Sequence, residues 1–214
     1  MEGAKQREQR IREIAREKFF RFGFSRVTMD EIATEARVSK KTLYQHFAGK
    51  EELLRAVIET VKKEVASEVA GLLGARSLDF MERLVRAMEF LSKLISSFSP
   101  EFARDIQLYQ PEIWREVENF RRHKVLENFG NAIKEGVKKG MVRADLNPEL
   151  VTMIYITLLE NLINPEALSR LPYSGHEMFD AIIKIMFEGV LTEKARSRLA
   201  AKNFLAKKAT GGVL

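Results

Sequence analysis

The sequence predicts an all-α fold, with a small N-terminal three-helix unit followed by a larger C-terminal helical bundle. Three observations carry this reading. Apolar residues recur at spacings of three and four along almost the whole of the 214 residues. No long stretch alternates apolar and polar side chains, as a half-buried strand would. Four of the five prolines stand in X-Pro-Glu units, at Pro100, Pro111, Pro148 and Pro165. Proline suits a first helical position, and the glutamate after it faces the positive end of the helix dipole.

These signals place helices at roughly 5–22, 29–36, 40–46, 50–73, 78–97, 100–109, 111–139, 148–163, 175–190 and 192–207. The first three proline units start helices. Asn164-Pro165-Glu166 ends one helix and opens a single turn. Lys138-Lys139-Gly140 is a stop signal, with cations in the last turn and glycine beyond it. Ser174-Gly175-His176-Glu177 is a capping box for the helix at 175–190. Ala209 to Leu214 are expected to fray. A domain boundary is expected near residue 50, inside a helix that both domains share.

Composition narrows the class of protein. Apolar residues make up 45%, a globular value, and there is no cysteine to form a disulfide or a thiolate metal site. The longest nearly apolar run, Leu150 to Leu159, is too short to span a bilayer. The N-terminus has no apolar signal region. A soluble cytoplasmic protein without membrane partners is expected. The net charge of +6 is uneven. Residues 1–50 hold 12 Lys or Arg against 7 Asp or Glu, a net +5, which leaves +1 for the rest. Such asymmetry fits a polyanion partner for the first quarter, or a solvated charged surface.

The most informative stretch is Val27 to Leu53. Thr28 can cap a helix, Glu31 can reach back as its third residue, and Val27 can staple onto Ile32. Arg37-Val38-Ser39 interrupts this short helix, and Ser39 caps another. Two short helices joined by a tight turn form a helix-turn-helix. Ile32, Ala33, Ala36, Val38, Leu43 and Phe47 can lock them together, roofed by Ile11, Ile14, Ala15, Lys18, Phe19 and Phe22 of the first helix. Lys40, Lys41, Thr42, Tyr44, Gln45 and His46 are then left facing outward. Lysines and hydroxyls suit phosphates, while Gln45 and Lys40 or Lys41 can reach base edges in a major groove. Thr28 can also donate to a phosphate. Lys50 opposes the dipole of the helix it opens and is badly placed for stability alone; beside a phosphate it becomes useful.

Phe19-Phe20-Arg21-Phe22-Gly23-Phe24, Thr28-Met29-Asp30-Glu31-Ile32-Ala33, Val38 through Phe47 and Lys50-Glu51-Glu52-Leu53 together resemble the N-terminal signature of the TetR family of transcriptional regulators. The resemblance covers about residues 10–54. It implies that Thr28, Lys40, Lys41, Thr42, Tyr44, Gln45, His46 and Lys50 lie at or near DNA, with Thr28, Tyr44, His46 and Lys50 mainly on phosphates. Arg37 departs from the family's usual glycine in the turn. It is either a solvent-facing turn residue or an added cation near the DNA backbone. The resemblance further implies residues 1–50 as a DNA-binding domain and 51–214 as a domain for ligand binding and dimerisation. The expected function is a repressor released from a palindromic operator by an unknown small-molecule effector. A DNA-binding protein without such an effector is the alternative.

The C-terminal residues allow this reading. Phe179, Ile182, Ile183, Met186, Phe187 and Val190 form an apolar stripe wide enough for a homodimer interface, or for an intramolecular core alone. Phe90, Phe98, Phe102, Trp114, Phe120 and Tyr155 can line a cavity for an apolar effector, or serve as ordinary core. Thr157, Glu160, Asn161 and Asn164 form a polar seam, with Glu160 or Asn161 in a pocket or fixing dimer register; the other reading is a wet rim. The basic stretch 192–207, with Lys194, Arg196, Arg198, Lys202 and Lys207, is a solvated end helix or a membrane-surface helix. Neither an enzyme nor a cofactor or metal protein is expected. His46, His123 and His176 have no metal-ligand spacing, and no phosphate loop or nucleophile elbow is present.

Overall fold

Caps and prolines decide where the helices begin. The computed structural model describes residues 2–201. Its helices are α1 (Glu2–Phe22), α2 (Met29–Glu35), α3 (Lys40–His46), α4 (Lys50–Gly74), α5 (Phe80–Ser96), α6 (Pro100–Tyr109), α7 (Pro111–Lys124), α8 (Gly130–Lys138), α9 (Pro148–Leu162), α10 (Pro165–Ser169), α11 (Gly175–Val190) and α12 (Glu193–Ala201). Ser99, Asn147, Asn164 and Ser174 each accept a bond from a first-turn backbone N–H, satisfying a donor the helix itself cannot. Among the described residues the non-helical pairing is an isolated antiparallel bridge between Val142 and Leu191. No helix among them is long and apolar enough to cross a membrane. The expected fraying of Ala209 to Leu214, and the last turns of the helix expected at 192–207, lie outside the described residues.

One expected helix is interrupted. Between α7 and α8 the backbone widens into a π-helical segment, Val125–Phe129. Phe129 lies against Tyr155 of α9 with ring centroids 4.2 Å apart, and Gly130 meets the Thr152 side chain on the same helix. A single inserted residue leaves spacings of three and four almost intact, so the pattern reads as one helix.

The chain forms two compact units. The first comprises the residues up to Val65 with Ser96–Glu118; the second comprises Ala66–Ile95 and the described residues from Asn119 onward. In the first, Ile11, Ala15 and Phe19 of α1 are fully buried with Ile32 and Leu43. Phe22, expected in that roof, is 47% exposed; Phe20 and Phe24 are buried instead. The second unit is built around Phe80, Met81, Leu84, Phe129, Ile133 and Tyr155.

The six stripe residues of α11 belong to this second core. Phe179, Ile182, Ile183, Met186, Phe187 and Val190 are all between 1% and 8% exposed. Within one chain the unit's own packing buries the whole stripe, as the intramolecular-core reading expects, and a charge at Ile183 or Phe187 would break that core. Ala181, Lys184, Ile185 and Glu188 face outward instead, with Ile185 70% exposed.

Gly136 marks the tightest approach in the second unit. A Cβ there would lie 2.5 Å from Val142 Cγ2 and 2.9 Å from Phe80 Cζ. Gly136→Ala should therefore destabilise the protein by about 1–3 kcal/mol through overpacking. Urea unfolding measures this, and an unchanged midpoint would contradict the packing described.

Candidate nucleic-acid interface

The α2–α3 pair is built by its caps. Thr28 Oγ1 accepts from the Glu31 N–H at 3.3 Å, while the Thr28 N–H donates to Glu31 Oε2 at 2.7 Å. The Thr28 hydroxyl donates to the same carboxylate at 3.0 Å. The backbone bond first, then the hydroxyl, holds the Glu31 carboxyl below the usual carboxylate range. Ser39 Oγ accepts from the Thr42 N–H at 3.0 Å and opens α3. Between the helices Arg37 adopts a left-handed conformation with φ of 52°, the geometry for which glycine is the unstrained choice. Leu43 and Phe47 turn inward at 0% and 3% exposure.

With that face buried, the other side of α3 is outward. Lys40, Lys41, Tyr44 and Gln45 are exposed, and Thr42 and His46 are half-buried. Thr28 is exposed at the start of α2. The structure thus brings seven of the eight expected residues to the surface of one short motif. Arg26 in the α1–α2 loop and Arg37 in the turn are exposed cations as well.

Lys50 is the exception. Its ammonium donates to the Val27 carbonyl at 2.7 Å and the Ser25 carbonyl at 3.2 Å, and stands 4.5 Å from the Phe24 ring centroid. Partial burial lowers its pKa, opposed by the charges of Asp105 and Glu31. The expectation that Lys50 is badly placed for stability is corrected, because two loop carbonyls hold the cation against the α4 dipole.

The same loop is gripped from its other side. Asp105 of α6, 4% exposed, accepts through Oδ2 from the Ser25 N–H at 2.7 Å and from the Ser25 hydroxyl at 2.6 Å. Gly23 makes the approach possible. Its φ is 87°, and a Cβ there would lie 2.9 Å from Asp105 Oδ2. Phe20 packs against Phe98 and Phe102 at centroid distances of 4.6 and 4.8 Å, and the Ser99 N–H donates to the Phe20 carbonyl. Helices α4 and α6 therefore clamp the loop that delivers Thr28 to the start of α2.

The remaining candidates divide between the two units. Phe98, Phe102 and Trp114 belong to the first, where Phe98 and Phe102 are packing for α1. Phe90, Phe120, Tyr155, Glu160 and Asn161 belong to the second. Tyr155 is 2% exposed, and burial pushes its hydroxyl pKa far up. Glu160 takes a two-pronged bond from Arg122, at 2.8 Å to Oε1 and 2.7 Å to Oε2. Asn161 is exposed and donates to the Thr157 carbonyl of its own helix. His176 joins Ser92 and Asp180, yet the Ser92 hydroxyl donates to Asp180 Oδ1 at 2.8 Å and is 3% exposed. A nucleophile would need that proton directed to the histidine and an open approach. No cluster of three or more acidic or histidine side chains among the described residues could hold a metal ion.

The clamp has a measurable weight. Asp105→Ala should cost about 2–3 kcal/mol, since hydrogen bonds to a charged group are lost and the Ser25 N–H is left unpaired. Chemical denaturation reads the loss. An unaltered stability would mean that the loop is held by packing alone.

Comparison with known proteins agrees with this architecture. Residues 11–57 match the family model described as bacterial regulatory proteins, tetR family. The uncharacterised HTH-type transcriptional regulator YhgD of Bacillus subtilis is 30% identical over 163 residues, covering 73% of this chain and 82% of that protein. The HTH-type transcriptional repressor DhaR of Mycobacterium sp. strain GP1 is 24% identical over 180 residues, covering 81% and 86%. In fold, the chain resembles a crystal structure of a gamma-butyrolactone receptor described as ArpA-like. The TM-score is 0.66 at 19% identity, over 98% of this chain and 100% of that one. These relatives are regulators rather than enzymes. The signature, the paired helices and the relatives converge, and the chain belongs to the TetR family of bacterial helix-turn-helix transcriptional regulators.

Proposed function

We propose that this regulator is a cytoplasmic repressor that binds a palindromic operator as a homodimer and leaves it when a small effector binds. The observation that carries the DNA half is the outward edge of α3, where Lys40, Lys41, Tyr44 and Gln45 are exposed while Leu43 and Phe47 close the core behind them. In this reading residues 1–50 bind DNA. Lys41, Thr28, Tyr44 and His46 meet phosphates, and Gln45 and Lys40 reach bases. Lys50 acts near the duplex chiefly by holding the loop beside Thr28. Two chains would set two recognition helices roughly 34–36 Å apart, one turn of duplex.

Residues 51–214 carry dimerisation and the effector. The dimer face is drawn from the outward sides of α9 and α11. Leu150, Met153, Ile154 and Ile185 are 63%, 47%, 54% and 70% exposed, an apolar set that a second copy would cover. The fold neighbour named as a gamma-butyrolactone receptor and the relative named as a repressor support the effector and the sign of regulation. Half-buried Phe90 and Phe120 are the aromatic candidates for the effector site. Release requires the effector to prefer one arrangement of the dimer over another, since an indifferent ligand shifts nothing.

Selection of bound duplexes from a random pool tests the operator, and a ligand screen for release follows from it. Lys41→Ala should weaken binding to all sequences and make the salt dependence shallower by about one unit; a constant slope would remove the phosphate contact. Ile185→Glu should give monomers by light scattering with helical content unchanged. A persistent dimer would exclude this face.

A further inference from the structure

An acidic residue of α2 is paired with the recognition edge. Asp30 stands at the second position of α2 and reaches across to the first residue of α3. Lys40 Nζ lies 2.8 Å from its Oδ1 and 3.0 Å from its Oδ2. The two side chains are 62% and 64% exposed, so the pair sits on the surface rather than in the core. Such a pair adds little to stability. Asp30 already suits the positive end of α2 without a lysine beside it. A bare carboxylate on this edge would repel phosphate, and Lys40 cancels its charge.

The two adjacent lysines therefore differ. Lys41 is exposed and takes part in no ion pair among the described residues. It is free to meet a phosphate and release counterions. Lys40 is tethered and its charge is balanced. A balanced pair gains little from phosphate. A tethered ammonium, however, has a defined place from which to donate to a base edge, and guanine O6 and N7 are the acceptors that lysine matches best.

We propose that Asp30 is a specificity-determining residue: it positions the Lys40 ammonium to read a guanine in each half-site and keeps it from the phosphates. Asp30 acts through Lys40 and is a positioning residue. The inference rests on the DNA-binding reading above.

The test is selection of bound duplexes from a random pool with the full chain, Asp30→Asn, Lys40→Ala and the double variant. It is paired with the salt dependence of binding to a random-sequence duplex. The unaltered chain should enrich guanine at one position of each half-site. Asp30→Asn should relax that preference about tenfold and steepen the salt dependence by about one unit as Lys40 turns to phosphate. Lys40→Ala should lose the same preference, and adding Asp30→Asn should change it no further. Asp30→Ser serves as a second substitution, and circular dichroism melting verifies the fold of each variant. Equal stringency in the unaltered chain and both Asp30 variants overturns the inference, as does a further loss when Asp30→Asn joins Lys40→Ala. If instead the unaltered chain enriches nothing and Lys41→Ala leaves the salt dependence unchanged, the DNA-binding reading itself has failed, and the inference with it.

Discussion

The loop from Gly23 to Val27 is held by two opposite charges, and the orientation of the recognition motif depends on that hold. Lys50 takes two of its carbonyls, and Asp105 takes an N–H and a hydroxyl from the same Ser25. Backbone groups in a turn otherwise bond to water, which fixes no direction. Here they bond to side chains from α4 and α6, so the start of α2 inherits a position from both helices. The Asp105 charge also moderates the burial of Lys50, opposing the lowering of its pKa.

Local signals were legible in the sequence, and distant ones were not. The capping boxes at Thr28 and Ser174, the cap at Ser39 and the proline starts depend on residues three or four apart, and all stand as read. The single turn after Asn164 does as well. The clamp joins Ser25 to Asp105 across 80 positions, and no spacing rule connects them. Lys50 illustrates the same limit. Its conflict with the helix dipole was visible, but the carbonyls that resolve it come from another element. The outward direction of Lys40, Lys41, Tyr44 and Gln45 could be read because Leu43 and Phe47 mark the opposite, buried face.

The stripe on α11 shows why apolar width alone does not separate a core from an interface. Six residues spread around more than one face suggested a surplus for a second chain. The unit instead surrounds that helix closely enough to bury all six. The apolar residues left outside that core, Leu150, Met153 and Ile154 on α9 and Ile185 on α11, are exposed. A hydrophobicity pattern ranks the buried stripe first and hides the exposed residues that a partner would meet.

The capping hydroxyl of Thr28 carries one proton, and Glu31 already holds it. A phosphate that accepted the same proton would take it from the carboxylate while adding negative potential beside it. Glu31 would then bind hydrogen ions more readily than in the free protein. In the proposed operator complex, association would then carry proton uptake in the acidic range.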